Sequence, residues 1–167
     1  RYRWGYDTAK KDIDKLIARY MPNRKIWGVF EKDYLEGRDA IKPTTVWDFK
    51  DVNSERGTEQ FIELGFEKEV FPKPKPIGAI KRTLQLATND DCIILDFFAG
   101  SGTTGHAVME LNAEDGGNRK FILCQIDEPI KKDKPAYKFC IYNNLPPVIS
   151  SITIERLKRA GEKIAKE

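Results

Sequence analysis

Asp96–Gly105, DFFAGSGTTG, follows a β-branched and apolar run, CIILDFF (Cys92–Phe98), and precedes a stretch with helical character, His106–Leu111. The upstream run is too short for a buried helix and suits a buried strand. A strand that turns through glycines into a helix points to an α/β fold with parallel strands and crossover helices. Such a corner presents backbone N–H groups at the helix start and lets a ligand come close to the main chain.

Three kinds of ligand compete for that corner. Gly100, Gly102 and Gly105 satisfy the dinucleotide pattern G-x-G-x-x-G, and Asp127 or Glu128 follows at roughly the right distance. A phosphate loop fails, because His106 and Ala107 stand where its Lys and Ser/Thr are needed. Asp96, at the strand end ahead of Gly100, separates the remaining two. A carboxylate facing a pyrophosphate is repelled by on the order of several kcal/mol at reduced dielectric. Facing the ammonium and sulfonium of S-adenosylmethionine, it attracts. An aspartate that merely caps the turn is the structural alternative, and a nicotinamide-dependent oxidoreductase stays open.

Composition narrows the class. Of 167 residues, 40% are hydrophobic and 33% charged, enough for a core with a soluble surface, and the net charge is +3. The basic excess lies towards the two ends, which permits a polyanionic partner without requiring one. No apolar run approaches the ~20 residues of a membrane span. Three cysteines without C-x-x-C spacing and a single histidine argue against zinc and for buried, reduced thiols. The first residue is Arg1, which suggests a piece of a longer protein.

DFFAGSGTTGHAV, preceded by FPKPKPIGAIKRTLQLAT and followed by GGNRKFILCQIDEPI, resembles the C-terminal half of amino-group DNA methyltransferases. It is most similar to the modification subunit of type III restriction-modification systems. KPTTVWDFKDVNSERGTEQFIELG and SSITIERLKRAGEKI carry a fainter likeness, so nearly the whole chain is covered. The resemblance implies a partial Rossmann-like, S-adenosylmethionine-dependent fold transferring methyl groups to the exocyclic amine of adenine. It implies Asp96, Phe98, Ala99, Gly100, Ser101, Gly102, Thr103 and Thr104 as the cofactor loop, with Lys75 at the methionine carboxylate. Asp127 or Glu128 would hold the ribose; the register of Gln125, Asp127 and Glu128 is open. Residues 1–70 correspond to part of a target-recognition region, and residues 71–167 to the cofactor-binding part. Partners implied are double-stranded DNA, a restriction subunit and a second methyltransferase subunit, in the cytoplasm of a bacterial or archaeal host.

The rest of the chain reads in order as follows. Asp7 can cap a helix with Ile13, Leu16, Ile17 and Tyr20 on its apolar face. Lys25–Phe30 and Thr44–Phe49 are β-prone. Trp4, Arg38 and Lys42 are candidate DNA contacts, whereas Trp27 and Trp47, among valines and isoleucine, suit a core better. Asp51–Gly57 reads as loop and Thr58–Leu64 as a short helix ended by Gly65. In FPKPKP, Phe71–Pro76, three prolines keep the chain extended, and Pro76 suits the first position of a helix burying Ile77, Ile80, Leu84 and Ala87. That block is also readable as a plain linker. Lys120–Ile126 reads as a second parallel strand. Residues 130–147 read as loop. Ser150–Ala165 is a final helix with Ile152, Leu157, Ala160 and Ile164 on one face and its basic residues in solvent.

Amino methyltransferases need a [DNS]-P-P-[YFW] motif whose ring stacks on a flipped-out base. Asn144-Leu145-Pro146-Pro147-Val148 has an intruding leucine and no aromatic residue, so it does not qualify. The motif order implied by the resemblance puts the catalytic motif upstream of Arg1, and this stretch alone should bind cofactor weakly and lack turnover. No cysteine follows a proline, which argues against the carbon-5 cytosine chemistry. A non-catalytic DNA-recognition or assembly module is the remaining alternative.

Overall fold

The computed structural model describes residues 5–32 and 43–166, which fall into two compact units, Arg1–Thr45 and Val46–Glu167. The architecture is mixed α/β with two-stranded sheets. In the first unit, helix α1 (Tyr6–Lys11) and a 3-10 turn (Ile13–Lys15) lead into an antiparallel hairpin of β1 (Leu16–Met21) and β2 (Ile26–Glu31). The helix expected through Leu16, Ile17 and Tyr20 is thus a strand. Those residues pair with the β-prone run that follows, Leu16 opposite Glu31 and Met21 opposite Ile26. Tyr20 lies against Trp27 with ring centroids 5.6 Å apart. Cross-strand pairing of aromatic and β-branched side chains outweighs a weak helical period. Trp27 is 71% exposed, so it is no core residue.

Residues 44–49, which run across the boundary between the units, form no strand. Instead Phe49 carries the guanidinium of Arg82, 4.0 Å from its ring centre, and leads into a 3-10 turn, Lys50–Val52. Helix α2 (Ser54–Glu63) starts ahead of the expected Thr58 because Asn53 caps it, accepting from the Glu55 N–H at 3.2 Å. Gly65, at φ 77°, ends it as expected. Pro76 is the cap of α3 (Ile77–Ala87) rather than its first helical residue. Strand β3 (Ile93–Asp96), helix α4 (Thr103–Asp115) and strand β4 (Lys120–Leu123) follow, the two strands parallel and in register from Ile93–Lys120 to Asp96–Leu123.

The expected loop after β4 contains helix α5 (Pro135–Tyr142), with Pro135 in its first turn and Ala136 and Cys140 buried. Helix α6 (Ile149–Ile164) closes the chain. One core gathers Phe61, Phe66, Val70, Ile130, Cys140, Ile152 and Ala160; the other joins Ile77, Leu84, Ala107, Val108 and Leu111 to Ile94 and Phe121 of the sheet. Ile93, Leu95 and Ile122, on the opposite sheet face, are exposed.

The cysteines differ in environment: Cys140 is buried, Cys92 half-buried and Cys124 exposed. Burial pushes the Cys140 thiol up, which lowers its thiolate fraction. Iodoacetamide should therefore modify Cys124 first, Cys92 next, and Cys140 only on unfolding. Mass spectrometry of native and urea-treated protein reads this order; early alkylation of Cys140 would contradict the packing.

Candidate functional site

The site is the turn between β3 and α4. Cys124 N–H donates to the Asp96 carbonyl at 2.8 Å and Ala99 N–H to the Cys124 carbonyl at 3.0 Å, so the parallel ladder extends past both strands into the loop. Gly100 and Gly102 take φ of 52° and 79°, a region costly for residues with a Cβ. Gly100 N–H donates to Gln125 Oε1 at 2.8 Å. Gln125 thereby joins the two strand ends directly.

Asp96 is half-buried at the tip of β3. Its Oδ1 accepts from the Phe98 N–H at 2.9 Å and its Oδ2 from the Thr104 hydroxyl at 2.6 Å. The carboxylate therefore braces the turn, and two donors fix its position. A carboxylate has about four acceptor sites, so this arrangement leaves two for a further cationic or N–H partner. Phe98 stands out from the turn, 84% exposed.

Ser101 and Thr103 turn the other way. Both are buried, and their hydroxyls accept from Arg156 Nη1 at 2.7 and 2.8 Å. Thr103 Oγ1 lies 3.3 Å from the Lys75 carbonyl, so the FPKPKP block is fastened to the first turn of α4. Gly57 of α2 meets the same block: a Cβ there would lie 2.1 Å from the Pro74 carbonyl oxygen. The Lys75 side chain is exposed, as are Asp127 and Glu128 beyond β4. Because the strands are parallel, Asp96 at the tip of β3 and Asp127 and Glu128 beyond β4 share the C-terminal end of the sheet, where ligands bind in open α/β sheets. The Glu128 carbonyl accepts from Ile149 N–H at 3.3 Å, which ties this segment to the start of α6. Trp4, Arg38 and Lys42 lie outside the described residues.

His106, which replaces the phosphate-loop lysine, is buried and bonded to Glu110 Oε1 at 3.1 Å. Burial raises the Glu110 carboxyl, but the bond from His106 and the charge of Lys81 outweigh it and hold it below the usual range. Lys81 pairs with both Glu110 and Glu114. This network buttresses α4 against α3 below the turn.

Arg156 and Thr153 are the parts that sequence reading missed. Thr153 Oγ1 donates to the Gly100 carbonyl at 2.5 Å, and Arg156 is fully buried under the loop. Burial brings its guanidinium down to about 10, against the attraction of Glu110, so it stays charged at neutral pH. The signal was available: Arg156 falls midway between Ile152 and Ala160, four residues from each, on the buried stripe of α6.

The model of the DNA methylase family matches residues 6–136. The StyLTI Mod subunit, a type III restriction-modification enzyme of Salmonella typhimurium, is 46% identical over 164 residues, which cover 96% of this chain and 24% of that protein. The type II methyltransferase M.KpnI of Klebsiella pneumoniae is 38% identical over 162 residues, 97% of this chain and 36% of its own length. The EcoP15I Mod subunit of Escherichia coli, also a type III enzyme, is 40% identical over 166 residues. The chain thus spans about a quarter to a third of the length of these relatives. By the match over the hairpin, the glycine turn and both parallel strands, this chain belongs to the DNA methylase family.

Proposed function

We propose that this chain is the cofactor-holding part of an adenine-N6 DNA methyltransferase, the modification subunit of a type III restriction-modification system. The observation that carries the reading is the Asp96 carboxylate, fixed at a parallel strand tip beside a bare glycine turn. The fit to S-adenosylmethionine rests on charge. Two acceptor sites of Asp96 remain for an ammonium, and the first-turn N–H groups of α4, lacking acceptors within the helix, suit a carboxylate. When bound, that cofactor supplies an electrophilic methyl group for direct transfer to the amine.

This chain's own part is positioning. Asp96 orients the positive end of the methionine moiety, and Lys75 reaches its carboxylate. Ala99, Gly100 and Gly102 shape the turn that receives the ligand, and Phe98 flanks it. Asp127 or Glu128 accepts the ribose hydroxyls. The catalytic Pro-Pro-aromatic motif lies in another part of the intact protein, upstream of Arg1. Further strands and helices of that part complete a Rossmann-like sheet by covering Ile93, Leu95 and Ile122, whose exposure favours this assignment. Residues 1–70 contribute to target recognition and residues 71–167 to cofactor binding. Duplex DNA meets the basic and aromatic hairpin, with Trp4, Arg38 and Lys42 as contacts. The partners are a restriction subunit and a second modification subunit, in a bacterial or archaeal cytoplasm; no helix among the described residues is long and apolar enough to cross a membrane.

Parallel calorimetric titrations with S-adenosylmethionine and NAD test the reading. Binding of the first alone is expected, and NAD binding would replace it with an oxidoreductase. Incubation of this chain with labelled cofactor and duplex DNA should give no methyl incorporation; appreciable incorporation would refute the assignment of the catalytic motif elsewhere. Salt-dependent DNA binding with no cofactor affinity would instead mark a recognition module.

A further inference from the structure

A buried arginine usually has every donor engaged, because an unpaired buried charge is costly. Arg156 departs from that rule. It is 0% exposed, and its Nε and Nη2 have no hydrogen-bond partner among the described residues. Its engaged nitrogen, Nη1, reaches Ser101 Oγ, Thr103 Oγ1 and, at 3.5 Å, the Ser101 carbonyl. The guanidinium faces Phe61 at 5.7 Å, and Glu110 is the acid whose charge acts on it. Among the described residues no carboxylate bridges to it.

From these contacts we infer that Arg156 is a positioning residue, which holds the glycine turn from beneath in the shape that receives the cofactor. The inference rests on the cofactor reading above. Three details support it. The donors of Arg156 make the Ser101 and Thr103 hydroxyls acceptors, which keeps both side chains out of the ligand's space. Thr153, one turn earlier on α6, holds the Gly100 carbonyl from the same side. Gly102 and Gly105 let α6 come this close: added Cβ atoms would stand 3.1 Å from Thr153 Cγ2 and 2.6 Å from Leu157 Cδ2. The turn is therefore sandwiched between α6 and the ligand side, and Thr103 passes the constraint on to the Lys75 carbonyl.

A residue retained for global stability and one retained for position respond differently to an apolar isostere. Replacing a buried, half-satisfied charge by a hydrophobic side chain of similar volume is often neutral or stabilising. Arg156→Met should therefore leave the thermal midpoint unchanged or raised. Amide hydrogen exchange across residues 99–105 should meanwhile accelerate roughly tenfold in the ligand-free protein, and S-adenosylmethionine affinity should fall roughly tenfold or more. Arg156→Lys, which keeps the charge, should recover part of the affinity. A midpoint that falls while exchange in the turn rises no more than elsewhere would overturn the inference, and so would unchanged exchange in the turn.

If Arg156→Met does not fold, the double variant Ser101→Ala, Thr103→Val removes the acceptors and leaves the guanidinium. The same local acceleration is then expected, and its absence is decisive against the proposal. Should the unaltered chain fail to bind S-adenosylmethionine, the cofactor reading falls, while the exchange experiment still decides what Arg156 does.

Discussion

Replacing Asp96 with asparagine should weaken S-adenosylmethionine binding about a hundredfold and leave the turn intact. Asparagine is isosteric, and its carbonyl oxygen can still accept from the Phe98 N–H, as Asp96 Oδ1 does at 2.9 Å. What disappears is the negative charge, while the Thr104 hydroxyl, which donates to Asp96 Oδ2, must turn and accept from the new amide N–H instead. Two unit charges about 4 Å apart interact by about 4 kcal/mol at an effective dielectric of 20. Half-exposure of Asp96 lowers the usable part to about 3 kcal/mol, or roughly two decades in affinity. The sign separates the candidate ligands as well as the size does. A pyrophosphate-bearing dinucleotide would lose a repulsion, so its affinity should rise in the same variant. Calorimetric titration of both ligands against the parent and the Asp96→Asn variant reads both signs at once. Equal S-adenosylmethionine affinities would show that the carboxylate serves only to close the turn, the role that its bonds to Phe98 and Thr104 already give it.

Local order in the sequence is what made the turn between β3 and α4 legible. The β3–α4 turn is specified by residues within about ten positions: an apolar run, an acid, then glycines where the chain must pass through positive φ. The second parallel strand was legible for the same reason, whereas the extended run expected of FPKPKP bends over residues 71–73, with Lys73 at φ 55°. Elements decided by distant partners were not. Leu16–Met21 has apolar residues at helical spacing and becomes a strand because Ile26–Glu31 lies beside it. Pro135–Tyr142 looked like loop through its prolines and lysines, yet a proline at a helix start is no breaker, and Ala136 and Cys140 find the core. The charge of Arg156 points to solvent, whereas its position on the α6 stripe gives its burial. For Pro135 and Arg156 residue type suggests one answer and position the other, and position decides; for Leu16–Met21 the partner strand overrides the periodic pattern.

Gly57→Ala should be among the most damaging single substitutions in this chain, although in most helices the same change stabilises. Alanine in a helix interior is ordinarily favoured over glycine by about 1 kcal/mol. At Gly57 the helix α2 lies directly against the backbone of the FPKPKP block. An added Cβ would fall 2.1 Å from the Pro74 carbonyl oxygen, 2.8 Å from Lys75 C and 2.9 Å from Pro76 N. These are main-chain atoms of a proline-stiffened segment, so no side chain can rotate aside; α2 and the block must separate. Overpacking typically costs about 1–3 kcal/mol, and a backbone clash belongs at or above the top of that range. The expected fall in thermal midpoint is then about 10 °C or more. Gly161→Ala on α6 supplies the opposite sign, because its Cβ would meet Met109 Sδ at an ordinary 3.8 Å and the midpoint should rise slightly. Ligand affinity links the packing to the site. The Lys75 carbonyl lies within reach of the Thr103 hydroxyl, so displacing the block shifts the first turn of α4. Circular dichroism melts of the two variants, followed by cofactor titration of whatever remains folded, test the chain of contacts from α2 to the glycine turn. A Gly57→Ala protein as stable as the parent would show that the close approach is not a feature of the folded molecule.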